Sequence, residues 1–246
     1  MAQYGAESIL PYNKEEQKGL QVKRMFDTIA DKYDLLNHTL SFGIDKLWRK
    51  RGIAFLRPYA PKQILDIATG TGDLAIQMQR KLQADHIIGA DLSDGMMEIG
   101  RQKVEKAGLS AHITFEQQDC TALTYADNQF DAVTAAFGVR NFERIEQGIA
   151  EMHRVLKPGG HLMILELSTP EHFPMAQLYQ LYAKVFIPLI GRLLAKDKAA
   201  YEYLPASIQV VPQGKVMIDM LQRIGFKEAK ATPFTCGICS MYTGTK

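Results

Sequence analysis

The sequence predicts an α/β fold built on a doubly wound, mostly parallel sheet of seven strands that ends in an antiparallel C-terminal hairpin. Three observations support this. Short apolar runs alternate with segments of helical periodicity across residues 64–167, and such alternation favours parallel strands with right-handed crossovers. A glycine-rich turn, Gly70-Thr71-Gly72, joins the first apolar run to the first helix of the alternation. Acidic residues follow several runs, where open parallel sheets bind their ligands.

The elements follow from local patterns. Asp73 opens the helix after the glycine turn, Ser93 is a suitable N-cap for a helix that reaches Lys106, and Gly225 closes a helix over residues 215–224. The run Lys157-Pro158-Gly159-Gly160 is expected to stop the helix that precedes the fifth strand. Strands are predicted at residues 64–67, 86–90, 112–116, 130–136 and 161–167, with the hairpin at 226–231 and 237–242.

The chain is interpreted as one domain over residues 1–246, with a core at 58–169 and 207–246. One helical segment precedes this core, and a second interrupts it. An N-terminal extension covers residues 1–57, with a loose tail up to about residue 12 and an amphipathic helix after it. It is either a packing extension or a lid. Residues 170–206 form an aromatic and apolar insertion with Lys196 and Lys198 near its end. It is either a packed helical subdomain or an entry that faces lipid headgroups.

Composition narrows the class of protein. The 246 residues carry a net charge of +2, which argues against a dedicated nucleic-acid binder. Cys236 and Cys239 have a redox-like or zinc-like spacing but lack a second ligand pair, so we expect no metal. The N-terminus shows no signal sequence, and polar residues interrupt the apolar run 178–195. We therefore expect a cytoplasmic protein that contacts the membrane at its cytoplasmic face.

The residues around the glycine turn indicate which ligand it binds. Gly70 and Gly72 fit a loose nucleotide-binding pattern and let the backbone approach a ligand closely. Carboxylates at Asp66 and Asp73 would repel the pyrophosphate of a dinucleotide. S-adenosylmethionine carries an ammonium, a sulfonium and an adenosine but no phosphate, and it suits both acids. Asp91 lies about 20 residues further on, where an acid binds ribose hydroxyls. A nicotinamide oxidoreductase is the alternative, and it would use the same glycines and Asp91.

Polar residues follow the third and fourth predicted strands. Asp119-Cys120 is placed where an acceptor could bind the adenine amino group, or where a solvated loop acid would lie. Arg140-Asn141 follows the buried fourth strand and brings a permanent cation and its donors to the cleft. Its alternative role is a structural ion pair with a nearby acid.

Several motifs together resemble a known family, the C-methyltransferases of ubiquinone and menaquinone biosynthesis. The matching segments begin near residue 20 and extend almost to the end of the chain. They are Tyr33-Asp34-x-x-Asn37-x-x-Leu40-Ser41 with Trp48, Asp66-x-Ala68-x-Gly70-Thr71-Gly72-Asp73, Phe137-Gly138-Val139-Arg140-Asn141, Arg154-Val155-Leu156-Lys157-Pro158-Gly159-Gly160, Glu166-x-Ser168, Tyr201-x-Tyr203-Leu204-Pro205 and Gly237-Ile238.

The resemblance implies a class I S-adenosylmethionine-dependent methyltransferase that acts on a ring carbon of a prenylated quinol. It implies cofactor contacts from Thr71, Asp91 and the Asp119-Cys120 pair, and it favours demethylmenaquinol over a 2-polyprenyl-6-methoxy-1,4-benzoquinol. The sequence departs from the family at Asp45, where members often have histidine, at Ala136, where some have a cofactor-facing serine, and at Asp119-Cys120, which replaces a common Asn-Ala pair. Methylation of a soluble small molecule and a non-catalytic scaffold for quinone-pathway partners are the remaining alternatives.

Overall fold

The computed structural model describes residues 4–13, 15–186 and 198–246. Its strands are β1 Gln63–Ile67, β2 His86–Asp91, β3 Ile113–Gln117, β4 Phe130–Ala136, β5 Leu156–Leu167, β6 Lys227–Phe234 and β7 Cys239–Thr245. Its α-helices are α1 Gly5–Ser8, α2 Lys18–Leu40, α3 Asp45–Leu56, α4 Asp73–Leu82, α5 Asp94–Lys106, α6 Ile145–Val155, α7 Met175–Leu181, α8 Lys198–Val210 and α9 Gly214–Ile224.

The seven strands form one sheet in the order β3-β2-β1-β4-β5-β7-β6. Neighbours from β3 to β5 pair in parallel, whereas β7 pairs antiparallel with both β5 and β6. The predicted fold class and the C-terminal hairpin are thereby confirmed. The strand order reverses between β1 and β4, and this switch point is where open α/β sheets bind their ligands.

Both faces of the sheet are buried, which explains why the strands are continuous apolar runs. Leu65 of β1 faces a core shared with α6 and α9, through residues such as Ile149 and Met220. Ile64, its neighbour, faces the opposite core, which contains residues of α3, α4 and α5. Successive side chains of a strand point to opposite faces, so one short strand serves both cores.

Three elements differ from the predictions. The prediction of a loose N-terminal tail is wrong at α1. Ala6 is fully buried there, and Glu7 accepts a hydrogen bond from the backbone N–H of Ile145. The amphipathic helix continues as one element of 23 residues, α2, and includes the Tyr33 motif. The fifth strand begins at Leu156, directly after α6, so the proline and glycines of the predicted helix stop lie within β5.

The predicted insertion contains α7, a short π-helical turn at Tyr182–Phe186 and α8. Lys196 and the other insertion residues between the turn and α8 lie outside the described residues. None of the helices in the described parts of the chain has the length and apolarity needed to cross a bilayer.

Candidate active site

A cavity of about 170 Å³ lies over the carboxyl ends of β1, β2 and β4, and we refer to it as the sheet-edge cavity. Its wall includes five of the predicted site residues at this end of the sheet: Gly70, Asp91, Asp119, Cys120 and Asn141. The parallel sheet brings these residues together, because β1, β2, β3 and β4 are neighbours whose carboxyl ends lie at the same edge. Asp119 follows β3, and Asn141 follows β4.

The glycine turn and Asp91 are hydrogen-bonded to each other. The Gly70 N–H donates to Asp91 Oδ2 over 2.8 Å, and the Ser93 N–H donates to Asp91 Oδ1 over 2.9 Å. Burial raises the pKa of Asp91, and the backbone donors oppose that shift. Gly72 has a φ of +75°, and a Cβ there would lie 2.7 Å from Phe115 Cζ, so the turn requires glycine at this position.

Asp66 is almost completely buried at the end of β1, behind the wall of the sheet-edge cavity. Its two oxygens accept hydrogen bonds from the hydroxyls of Thr134 and Thr69, over 2.6 and 2.7 Å. Burial raises the pKa of this carboxyl to about 6, although the two hydroxyl donors pull it in the opposite direction. The structure thus places a readily protonated acid beside the cavity.

A second cavity, of about 270 Å³, is lined mainly by apolar and aromatic side chains, and we refer to it as the apolar cavity. Residues from α2, α3, α7 and α8 form its wall, together with Phe137 and Arg140. Tyr33 and Phe137 belong to the walls of both cavities. The two spaces are therefore adjacent, separated by aromatic side chains.

Arg140 lies at this boundary in a buried ion pair. Its Nη1 donates to Glu166 Oε1 over 2.8 Å and also to the Phe137 carbonyl, while its backbone N–H donates to Glu166 Oε2 over 3.1 Å. Burial acts to lower the pKa of Arg140, but attraction to Glu166 outweighs it, and the net pKa is raised. The guanidinium is a permanent cation here, which matches the predicted ion pair as well as the predicted cleft position.

Comparison with known proteins agrees with this geometry. A sequence model of the ubiE/COQ5 methyltransferase family matches residues 12–246. The chain belongs to this family. A demethylmenaquinone methyltransferase from Bacteroides fragilis is 54% identical over 99% of both chains. A ubiquinone/menaquinone biosynthesis C-methyltransferase from Geotalea daltonii is 42% identical over 95% of this chain and 99% of its own.

Solved structures show the same fold in more distant proteins. A SAM-dependent methyltransferase from Thermotoga maritima, described as a possible histamine N-methyltransferase, has a TM-score of 0.62 at 17% identity and covers 91% of this chain and 99% of its own. The prediction of an S-adenosylmethionine-dependent methyltransferase is confirmed. Membership of a methyltransferase family favours this activity over an oxidoreductase or a non-catalytic scaffold.

The sheet-edge cavity of this methyltransferase suits S-adenosylmethionine. The glycine turn presents backbone at Gly70, Asp91 supplies a carboxylate, and apolar groups such as Met96 and Leu92 complete the wall. A carboxylate in this position can accept hydrogen bonds from ribose hydroxyls. Among the residues described, no group of three or more His, Cys, Asp and Glu side chains could hold a metal ion.

Thr71 and Asp73 are engaged elsewhere. The Thr71 hydroxyl donates to Asp34 of α2 over 2.6 Å, and Lys103 forms ion pairs with both Asp34 and Asp73. Asp73 is thus paired with a lysine, which weakens the charge argument that excluded phosphates, and Asp66 is the carboxylate on which that argument still rests. The Tyr33-Asp34 motif has a structural role that the sequence did not reveal. Through the hydrogen bond from Thr71 to Asp34, it holds α2 against the glycine turn.

Sequence reasoning also gave no role to a polar network in the wall of the apolar cavity. Asp45 accepts hydrogen bonds from Ser41 over 2.6 Å and from Arg49, and its Oδ2 lies 3.0 Å from His38 Nδ1. Burial acts to raise the pKa of Asp45, but hydrogen bonds from Ser41 and Arg49 and the charge of Arg49 outweigh it, so the pKa is lowered. The only signal was the departure from histidine at this position.

Proposed function

We propose that this methyltransferase converts demethylmenaquinol to menaquinol. The observation that carries the proposal is the apolar cavity, which lies directly against the sheet-edge cavity and shares Tyr33 and Phe137 with it. A flat aromatic ring with a hydrocarbon tail suits such a space. The Bacteroides fragilis relative is named for demethylmenaquinone, and it is similar to this chain over almost its whole length.

The proposed cofactor contacts are the predicted ones. Asp91 binds the ribose, Asp119 and Cys120 face the adenine, and Gly70 and Gly72 let the backbone pass close to the ligand. Burial raises the pKa of the Cys120 thiol, so it stays neutral beside the base. Asp66 acts from behind the cavity wall on the amino-acid end, and Thr71 acts through its hydrogen bond to Asp34.

Arg140 and Asn141 are proposed to hold the quinol. The bound cofactor supplies an activated methyl group, and the protein must keep the ring carbon in line with it. Such alignment can contribute about 7–11 kcal/mol towards the barrier. A cation beside a ring hydroxyl favours its ionised form, which makes the neighbouring ring carbon more nucleophilic. Because the pKa of Arg140 is raised, the released proton passes to a group other than its guanidinium.

The test uses purified protein, methyl-labelled S-adenosylmethionine and reduced demethylmenaquinone, beside a reduced benzoquinone analogue. Label in a menaquinol product, with little in the benzoquinol product, is expected. The Geotalea daltonii relative carries a joint ubiquinone and menaquinone name, so equal labelling would assign the chain to both substrates. Label in neither quinol would refute the proposal and favour a soluble acceptor.

Variants of Arg140 test its role. Arg140→Ala and Arg140→Lys should both reduce turnover, because lysine keeps the charge but not the fixed fork of donors. Arg140 is absent from the wall of the sheet-edge cavity, so cofactor affinity, measured by calorimetry, should stay close to wild type. Wild-type turnover in Arg140→Ala would refute the assignment.

We also propose that the mouth of the apolar cavity rests on a membrane surface. Phe42 and Leu178 line the cavity and remain 69% and 55% exposed, and Leu181 on the same helix is 62% exposed. Apolar side chains that surround the entrance to an apolar cavity suit a substrate whose tail stays in lipid.

Co-sedimentation with phosphatidylethanolamine–phosphatidylglycerol vesicles tests this contact. The double variant Phe42→Ser with Leu178→Ser should bind vesicles more weakly than wild type. Val216→Ser is the matched control, because Val216 is an equally exposed apolar side chain on α9, outside both cavities. Equal loss of binding in the control, or none in the double variant, would refute the contact.

A further inference from the structure

A third, smaller cavity lies where the other two meet. It has a volume of about 50 Å³, and we refer to it as the junction cavity. Its wall is formed by α2, by α8 and by the short turn at Val139–Asn141. Tyr33 belongs to the walls of all three cavities, whereas Arg140 and Leu204 belong to the apolar and junction cavities. A ligand in the apolar cavity therefore lies next to this space.

Three buried polar atoms on residues of this wall have no hydrogen-bond partner within the part of the chain that the structure describes. They are Arg140 Nε, Asn141 Oδ1 and the Tyr203 hydroxyl. Arg140 is only 6% exposed and Tyr203 only 4%. Buried polar groups are nearly always hydrogen-bonded, so three unsatisfied atoms around one small cavity indicate a polar occupant.

The three atoms define the donors and acceptors that this occupant must offer. Arg140 Nε can only donate, Asn141 Oδ1 can only accept, and the Tyr203 hydroxyl can donate. Burial raises the pKa of Tyr203, so its hydroxyl keeps its proton. A hydroxyl group, of a bound ligand or of a water molecule, satisfies all three, because its oxygen accepts from Arg140 and Tyr203 while its hydrogen is donated to Asn141. A carbonyl oxygen would satisfy only the two donors.

We propose that Arg140, Asn141 and Tyr203 form a hydroxyl-binding site for the acceptor ring, and that this site selects the reduced quinol over the oxidised quinone. The proposal rests on the proposed function, because it assumes a quinol in the apolar cavity. Tyr203 is the new member of the site. It lies on α8, within the Tyr201-x-Tyr203-Leu204-Pro205 motif. The quinone leaves Asn141 Oδ1 unpaired, and an unpaired buried acceptor weakens binding by roughly tenfold or more.

Binding of a probe that cannot be methylated on the ring tests the site without turnover. The probe is 2,3-dimethyl-1,4-naphthoquinone, whose two neighbouring ring carbons are already substituted, used oxidised and after anaerobic reduction with dithionite. Trp48 is the single tryptophan of the chain and lines the apolar cavity, so quenching of its fluorescence reports binding. The reduced form should bind wild type about tenfold more tightly than the oxidised form.

Two variants separate the roles of the donors and the acceptor. Tyr203→Phe removes a donor that both forms use, so it should weaken both by about three- to tenfold. Asn141→Leu removes the acceptor and should abolish most of the preference for the reduced form. Tyr59→Phe is the control for loss of a phenol hydroxyl, because Tyr59 stacks on His161 outside all three cavities. Its affinities should equal those of wild type.

Equal wild-type affinity for the two forms would overturn the proposal, as would an unchanged preference in Asn141→Leu or unchanged affinities in Tyr203→Phe. These outcomes differ from failure of the proposed function, in which the wild-type enzyme transfers label to no quinol whatever the probe shows. If the wild-type enzyme methylates the quinol and Tyr203→Phe retains full kcat/KM, the quinol is the substrate and the hydroxyl site is wrong.

Discussion

Asp66→Asn is the perturbation whose consequence the structure defines most sharply. The carboxyl is buried, and its pKa is raised from 3.8 to about 6, chiefly by that burial. A raised pKa in the folded state means that the folded protein binds this proton more tightly than the unfolded chain does. The resulting stabilisation is complete below about pH 4 and is lost as the pH rises through 6.

The difference between the two pKa values corresponds to about 3 kcal/mol in the free energy of unfolding. Asparagine has nearly the same shape, and it can accept from one threonine hydroxyl and donate to the other. The variant should therefore lack the ionisation but keep both contacts with Thr69 and Thr134. Relative to Asp66→Asn, wild type should lose about 3 kcal/mol between pH 4 and pH 8.

Urea unfolding of the ligand-free proteins at a series of pH values measures this difference. Thr134→Val serves as a second variant, because it removes one donor to the carboxylate and should raise the folded-state pKa further, so that the loss of stability extends to higher pH and becomes larger. If the free energies of wild type and Asp66→Asn stay parallel from pH 4 to pH 8, Asp66 does not titrate as the structure indicates.

Three further substitutions test the packing around the site, each by urea unfolding at neutral pH. Gly138→Ala places a Cβ against that of Ala68 in the wall of the sheet-edge cavity and should lower the free energy of unfolding by about 1–3 kcal/mol; an unchanged midpoint would show that the turn can shift. Ile149→Ala opens a hole in a fully buried part of the core and should lower it by about 2–5 kcal/mol, whereas a loss well below that range would mean that the core collapses around the hole. Ser93→Ala removes the side chain that accepts from the Met96 N–H at the start of α5 and should lower it by about 1 kcal/mol, and wild-type stability would contradict the capping role.

Local patterns sufficed for most of the core. The helix that starts at Asp94 has the predicted Ser93 cap, and α9 ends at Gly225, whose φ of +118° suits glycine. Local patterns failed at α1, because a helix of four residues is too short to show a periodicity. Contacts with α6 stabilise this helix instead.

Local patterns also predicted some of the site residues but not the contacts that other site residues make. Gly70, Asp91 and Asp119 follow strand ends, and the parallel sheet brings strand ends together, so their convergence could be predicted. The partners of Thr71 and Asp73 could not, because Asp34 and Lys103 lie on helices whose packing angle has no short-range signature.

By itself, the sequence determined the order of strands and helices, the glycine turn and the acids beside it, because these depend on periodicity, φ preferences and the charge of single residues. Only the tertiary structure decided which polar groups found partners. It paired Arg140 with Glu166 and linked α2 to the turn through Asp34. Within the described residues, it left the Tyr203 hydroxyl without a hydrogen-bond partner, in a cavity wall that also includes Asn141. Those outcomes depend on distances between segments far apart in the chain, which are set by packing of the whole core and not by any local run of residues.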